Sequence, residues 1–149
     1  MYYEDAVFDA DTGPPPDLDK GIFQYCTWER LDIQGPHIGG ALLWSTLRRV
    51  EWYWGFCNVA SFVKTNFEDC LFRGSSFMGG TFVQCRFERC QFLLDNLGSA
   101  CTWHDCSLTE CHFDRCTWQP DPRPGRRLVE NTRFYACTHT NSPGFERLF

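Results

Sequence analysis

Residues 40–97 read GALLW STLRR VEWYW GFCNV ASFVK TNFED CLFRG SSFMG GTFVQ CRFER CQFLL DNL when set in fives. The third residue of every group is apolar: Leu42, Leu47, Trp52, Cys57, Phe62, Phe67, Phe72, Phe77, Phe82, Phe87, Phe92 and Leu97. In a chain that is 43% hydrophobic, twelve such hits in a row have a chance probability of roughly 10⁻⁵. The first residue of nearly every group is small, from Gly40 and Ser45 to Cys85 and Cys90. A period of five is neither the 3.6 of a helix nor the 2 of an open strand. It suits a chain that turns a corner every five residues and sends one large and one small side chain inward from each side. Four sides make a square coil of twenty residues, and coils stack through backbone hydrogen bonds about 4.8 Å apart.

CRFER CQFLL (85–94) and CSLTE CHFDR CTW (106–118) show the pattern most cleanly. In these units the sequence resembles the pentapeptide-repeat proteins, with a central Phe or Leu and a small residue two places earlier. The resemblance implies an all-β fold, a right-handed quadrilateral β-helix of about five to six coils. The residues themselves say only solenoid.

Outward from the central block, a first coil has centres at Phe23, Trp28, Ile33 and Ile38 and falls one residue short before Gly39 and Gly40. Beyond it, Ala100 is one residue too many, a bulge at a corner. The frame then resumes at Trp103, Leu108, Phe113 and Trp118. QPDPRPGRR (119–127) is an exposed loop, Val129 and Phe134 begin a partial last coil, and Phe145, Leu148 and Phe149 cap its end. Residues 1–20 hold Glu4, Asp5, Asp9, Asp11, Asp17 and Asp19 against Lys20, with three consecutive prolines. They are expected to form an irregular acidic arm whose Tyr2, Tyr3 and Phe8 dock on the solenoid or on a partner. The division is thus arm 1–20, β-helix 21–141 and cap 142–149.

Ten cysteines invite a disulfide framework. Seven of them, Cys70, Cys85, Cys90, Cys101, Cys106, Cys111 and Cys116, occupy the small inward position, so they read as buried filler in a reducing compartment. Spacing of five lacks the close pairs of a structural zinc site, and no metal or other cofactor is expected. In WHDC (103–106) the frame points Cys106 inward and His104 and Asp105 outward, so no nucleophile–base pair forms. No enzyme is expected. The acidic start lacks the features of a signal peptide and no run is long enough to span a membrane, so the expected location is the cytoplasm.

Stacking by twenties places Tyr53, Trp54, Leu71, Leu93 and Leu94 outward on the third side, with Trp44 and Phe56 on its neighbours. The same stacking puts His112, Asp114 and Arg115 in those third-side columns and Cys111 beneath Cys70 and Cys90. Other solvent positions read as mostly polar. These seven apolar residues, with Glu4, Asp5, Asp9 and Asp11 of the arm, are the candidate partner-binding residues. Burial of the patch under the chain's own termini is the competing reading.

The resemblance implies three binding functions. An immunity protein neutralising a cognate bacterial toxin by occlusion would use a rigid scaffold with an acidic, aromatic arm. A DNA mimic acting on DNA gyrase would need an acidic rod. Six of the 19 acidic residues and one of the 14 basic ones lie in 1–20, leaving 13 of each in 21–149. A neutral rod imitates a phosphate helix poorly. A scaffold, dimeric through the aromatic side, is the third. The partner is a protein in each case, with no direct nucleic-acid or membrane contact.

Overall fold

The computed structural model describes residues 1–147. The chain coils through four parallel sheets that form the sides of a square prism. Side 1 holds Tyr2–Glu4, Ile22–Gln24, Ala41–Leu43, Ser61–Val63, Thr81–Val83, Ser107–Thr109 and Arg133–Tyr135. Side 2 holds Val7–Phe8, Thr27–Glu29, Thr46–Arg48, Asn66–Glu68, Arg86–Glu88, His112–Asp114 and Thr138–Thr140. Side 3 runs from Asp32–Gln34 through Glu51–Tyr53, Leu71–Arg73 and Gln91–Leu93 to Thr117–Trp118. Side 4 runs from His37–Ile38 through Phe56–Asn58, Ser76–Met78 and Thr102–His104 to Val129–Glu130. Five complete coils therefore lie between two half coils, which occupy sides 1 and 2 at both ends. At ~4.8 Å per step the stack is about 29 Å long.

Each strand is three residues or fewer, with its centre inward. The next residue turns the corner in the left-handed region, with φ from 46° at Trp44 to 59° at Val59. That conformation costs a non-glycine residue about 1–2 kcal/mol. It is held by an amide bond to the following coil, as from Trp44 N to Val63 O at 2.9 Å and from Trp54 N to Arg73 O at 2.9 Å.

The centres stack ring on ring. Phe62 lies 4.6 Å from Phe82, Phe67 4.6 Å from Phe87, and Phe87 4.7 Å from Phe113, each pair within 8° of parallel. The small position is more than filler. Its hydroxyl or thiol donates to the carbonyl of a centre in the preceding coil: Ser45 to Phe23, Thr65 to Leu42, Ser75 to Trp52, Cys85 to Phe62, Cys90 to Phe67 and Cys101 to Phe72.

Three expectations need correction. First, Leu97 is no centre; it is 76% exposed, and 94–100 form a loop between sides 3 and 4. Strand partners lie 20 residues apart before this loop, as in Leu71 and Gln91, and 26 apart after it, as in Ser76 and Thr102. Six residues have been inserted rather than one. Asp95 closes them on themselves: its Oδ1 accepts the amides of Leu97 and Ser99 at 2.8 Å each, and its own N donates to Ser99 O. Asp114 and His112 consequently pair with Glu88 and Arg86 on side 2 instead of joining side 3, and Arg115 lies at the corner after them. The same shift sets Cys116, not Cys111, beneath Cys90.

Second, the N-terminal segment is not an irregular arm throughout. Tyr2–Glu4 and Val7–Phe8 pair with Ile22–Gln24 and Thr27–Glu29. Tyr3 stacks on Phe23 at 4.9 Å and Phe8 meets the same ring edge-on at 5.9 Å. Pro15 is buried and Leu18 packs on the core, so 9–20 cover the first full coil. Third, outward positions are not mostly polar on side 1, as set out below.

At the other end Phe145, in the short 3₁₀ turn Phe145–Arg147, is fully buried against Phe113 and Trp118. It caps the stack as expected; Leu148 and Phe149 lie outside the described residues.

Candidate binding faces

The four faces carry different chemistry. Side 2 is a charge ladder: Arg48 Nε meets Glu68 at 2.8 Å, Arg89 grips Asp69 through two nitrogens at 2.8 and 3.2 Å, and Arg86 reaches Glu88 at 3.0 Å. The guanidinium of Arg89 holds the Asp69 carboxyl below its ordinary pKa. Each of its carboxylates Glu68, Glu88 and Asp114 has an arginine within 4.0 Å, which offsets the field of the column they form.

Side 3 carries most of the sequence-predicted contact residues. Glu51, Leu71 and Gln91 share one outward column and Tyr53, Arg73 and Leu93 the other. The loop 94–100 reaches back across it by two coils. Trp54 Nε1 donates to Asp95 Oδ2 at 2.8 Å, and the Tyr53 hydroxyl accepts the Asn96 amide at 3.0 Å and meets Asn96 Oδ1 at 2.5 Å. Burial pushes the Asp95 carboxyl up, but the Ser99 amide, the Trp54 indole and the Leu97 amide outweigh it and hold the group below its usual range. Gly74 makes the crossing possible: a Cβ there would lie 2.6 Å from Asp95 Oδ2. Tyr53 and Trp54 thus hold the strap through their polar atoms, an internal loop rather than a terminus, while the Trp54 side chain stays 46% exposed. Leu71, Leu93 and Leu94 remain half-buried beside it.

Side 4 carries Phe56, stacked on His37 at 5.4 Å, and farther along His104, whose Nδ1 lies 3.4 Å from Glu130. Cys106 points inward, its Sγ donating to Phe77 O at 3.2 Å, so it is turned away from His104 and Asp105. Among the described residues no group of three or more His, Cys, Asp or Glu could hold a metal ion.

Side 1 is the flat uncharged face. One outward column runs Ile22, Ala41, Ser61, Thr81, Ser107 and the other Gln24, Leu43, Val63, Val83, Thr109. Charge appears only at its ends, with Glu4 beside Gln24 and Arg133 beside Ser107. Its border with side 2 is aromatic: Tyr25 and Trp44 lie 5.9 Å apart, 48% and 45% exposed, and Lys64 caps the Trp44 ring at 5.1 Å. Sequence reasoning found Trp44 but missed Ile22, Tyr25, Leu43, Val63 and Val83. Their signal was present: each flanks a centre or follows it by two, and the twenty-residue stacking aligns them. Glu4 and Asp5 form the acidic N-terminal rim of this face, and Asp9 and Asp11 belong to a turn beyond Phe8 that Thr12 closes.

No family model matches the sequence, and no curated protein matches it. Solved structures do match. The trypsin-treated R167E form of QnrB1, a plasmid-mediated fluoroquinolone resistance protein, aligns with TM-score 0.54 at 12% identity over 95% of this chain and 73% of that one. The pentapeptide-repeat protein Rfr23 from the cyanobacterium Cyanothece 51142 is matched with TM-score 0.41 at 10% identity, over 81% and 89% of the respective chains. At these identities the likeness is one of fold. With four parallel sheets, a corner every five residues and a paired large and small interior, the chain has the fold of the pentapeptide-repeat proteins, a right-handed quadrilateral β-helix.

Proposed function

We propose that this chain is a non-catalytic binding solenoid that presents side 1, with its Tyr25–Trp44 border, to another protein. The observation that carries this is the distribution of charge. Between Glu4 and Arg133 the outward strand positions of side 1 bear none, while the adjoining side 2 carries a charged side chain at every full coil, Glu29, Arg48, Glu68, Arg86 with Glu88, and Asp114. A rigid uncharged sheet face of this kind, half apolar and half Ser, Thr and Gln, is complementary to a preformed surface rather than to a flexible peptide. Trp44, Glu4 and Asp5 of the predicted contact set lie on it or at its rim. Phe56 would then flank the interface from side 4, whereas Leu71, Leu93 and Leu94 lie on the opposite side 3 and outside it.

The finer reading is that the partner is a toxin neutralised by occlusion. It is supported by the rigidity of the face and by its acidic rim of Glu4 and Asp5, with Asp9 and Asp11 beyond it at the same end, which would speed encounter with a basic partner. The gyrase reading gains nothing from the charge ladder of side 2, because a phosphate-like surface requires uninterrupted negative charge.

Val63→Glu with Val83→Glu places two carboxylates at the centre of side 1 without touching the interior. A protein captured from native lysate by the wild type should be lost by this variant, with an unchanged circular dichroism spectrum. Capture undiminished by the double variant overturns side 1 as the interface. For the toxin reading, co-expression with the product of the adjacent reading frame should restore growth. A protein that instead inhibits gyrase supercoiling at micromolar concentration would favour the DNA mimic.

A further inference from the structure

On the edge between sides 2 and 3 the arginines fall into two kinds. Arg48, Arg73, Arg86, Arg89 and Arg115 each have a carboxylate within 4.0 Å, on Glu68, Glu51, Glu88, Asp69 and Asp114 respectively. Arg30 and Arg49 have no ion-pair partner among the described residues, and both are exposed. They occupy the same corner in successive coils, each in the left-handed conformation with φ of 52° and 53°. Their backbones are consequently about one coil step, ~4.8 Å, apart.

The two guanidinium-bearing corners border a recess of about 330 Å³, at the lower end of the ~300–1,000 Å³ typical of ligand pockets. Its lining is largely apolar: Leu31 and Val50 turn inward at the small positions of the two coils and show the recess only an edge, and the half-buried Leu71 closes the far side. Three carboxylates also line it, and each is already engaged. Glu51 is bonded by Arg73 at 3.0 Å, Asp69 is gripped by Arg89, and Asp32 accepts from the Gln34 amide at 3.1 Å. The donor capacity left over at the rim is that of Arg30 and Arg49, which act on Asp9 and Asp69 only through space.

We propose that this corner is a binding site for an organic carboxylate carried on a short apolar body, the carboxylate shared between Arg30 and Arg49 and the body seated on Leu31, Val50 and Leu71. Two planar guanidiniums one coil apart can each donate to one oxygen of such a group. Five donors per arginine, with no hydrogen-bond acceptor among the described residues, are the unmet half of the interaction. The ligand chemistry is common to a free carboxylic acid and to the last residue of a peptide ending in Leu or Phe.

The site is tested on the intact protein by titration with N-acetyl-phenylalanine, with its primary amide, and with a hexapeptide ending in phenylalanine, following chemical shifts of the Leu31, Val50 and Leu71 methyls. The acid should saturate these shifts and the amide should bind at least tenfold more weakly. Tighter binding of the hexapeptide than of the free acid identifies a polypeptide terminus as the source; equal affinity identifies a small acid. Arg30→Gln and Arg49→Gln should each weaken the acid about tenfold, while Arg86→Gln, on the same side of the prism, should leave it unchanged. Because neither Arg30 nor Arg49 holds an ion pair, their variants should unfold at the wild-type temperature, separating lost binding from lost structure. Equal binding of acid and amide, or an Arg49→Gln variant that binds as the wild type, overturns the proposal.

Discussion

Ser75 Oγ donates to the carbonyl of Trp52 at 3.2 Å, and Cys90 Sγ makes the same contact with Phe67 at 3.3 Å. The equivalence explains why hydroxyl and thiol side chains alternate at one position of the coil. The carbonyl of a centre also accepts a ladder amide, as Phe92 O does from Gln119 N at 2.8 Å, so the side-chain bond is its second, and such a bond contributes about 0.5–1.5 kcal/mol. Cys90→Ala should therefore lower the unfolding free energy by about 0.5–1.5 kcal/mol. Cys90→Ser, which keeps a donor in a site that Ser45 and Ser75 fill elsewhere, should cost less than about 1 kcal/mol; urea unfolding of the two variants ranks them. An alanine variant as stable as the serine one would remove the donor from the account. The sequence made the size requirement legible through Gly, Ala, Ser and Cys at a fixed spacing. It did not expose the hydrogen bond, because Gly55, Ala60 and Gly80 do without it and mask the preference.

The strap over side 3 is the element that no periodicity could reveal. Leu97 falls on the fifth beat by coincidence, so the frame ran on through residues that in fact leave the prism. The turn chemistry of Asp95, Asn96, Gly98 and Ser99 was the contrary signal, and it was outvoted by one leucine. Because every later column was counted from that frame, Asp114 and His112 went to the wrong face while the inward centres from Trp103 onward were placed correctly. Gly74 and Gly79 sit at successive corners with φ of +52° and +60°. An added Cβ at Gly79 meets Val59 at an ordinary 3.5 Å, whereas at Gly74 it collides with Asp95. Both alanine variants carry the left-handed cost of about 1–2 kcal/mol, so their difference isolates the strap. Gly74→Ala should speed hydrogen exchange at the Leu97 and Ser99 amides and shift the emission of Trp54 to the red, and Gly79→Ala should do neither. Equal behaviour of the two would mean that the loop is not held against this corner.

Across the whole molecule, stability is bounded on both sides in pH. The Arg89 guanidinium lowers the Asp69 carboxyl, the Thr140 hydroxyl lowers that of Asp114, and Arg123 brings Asp121 to about 2. Groups with a lowered folded pKa contribute stability that is present above the unfolded value of about 4 and is lost as pH falls through the folded values. Burial pushes the thiols of Cys26, Cys57, Cys90, Cys101 and Cys106 up, that of Cys101 to about 12. Their contribution is complete below the unfolded value of about 8.5 and declines as pH rises from there toward the folded ones. The thermal midpoint should be level from about pH 5 to 8 and fall on either side. Cys101→Ser should soften the alkaline decline and leave the acid one untouched; an alkaline limb indifferent to that change would sink the explanation. The geometry of the insertions bears on how such a rod can be altered. Both extra segments, after Leu93 and after Trp118, leave the prism at the corner between sides 3 and 4, while strand pairing on all four faces runs on in register. That corner is the one place where the rod has already accepted added length, twice and in adjacent turns. A peptide epitope or a fluorophore-binding tag spliced between Leu97 and Gly98, or between Pro124 and Gly125, would hang outside the stack like a flag on a mast, leaving the masonry of the column as it was.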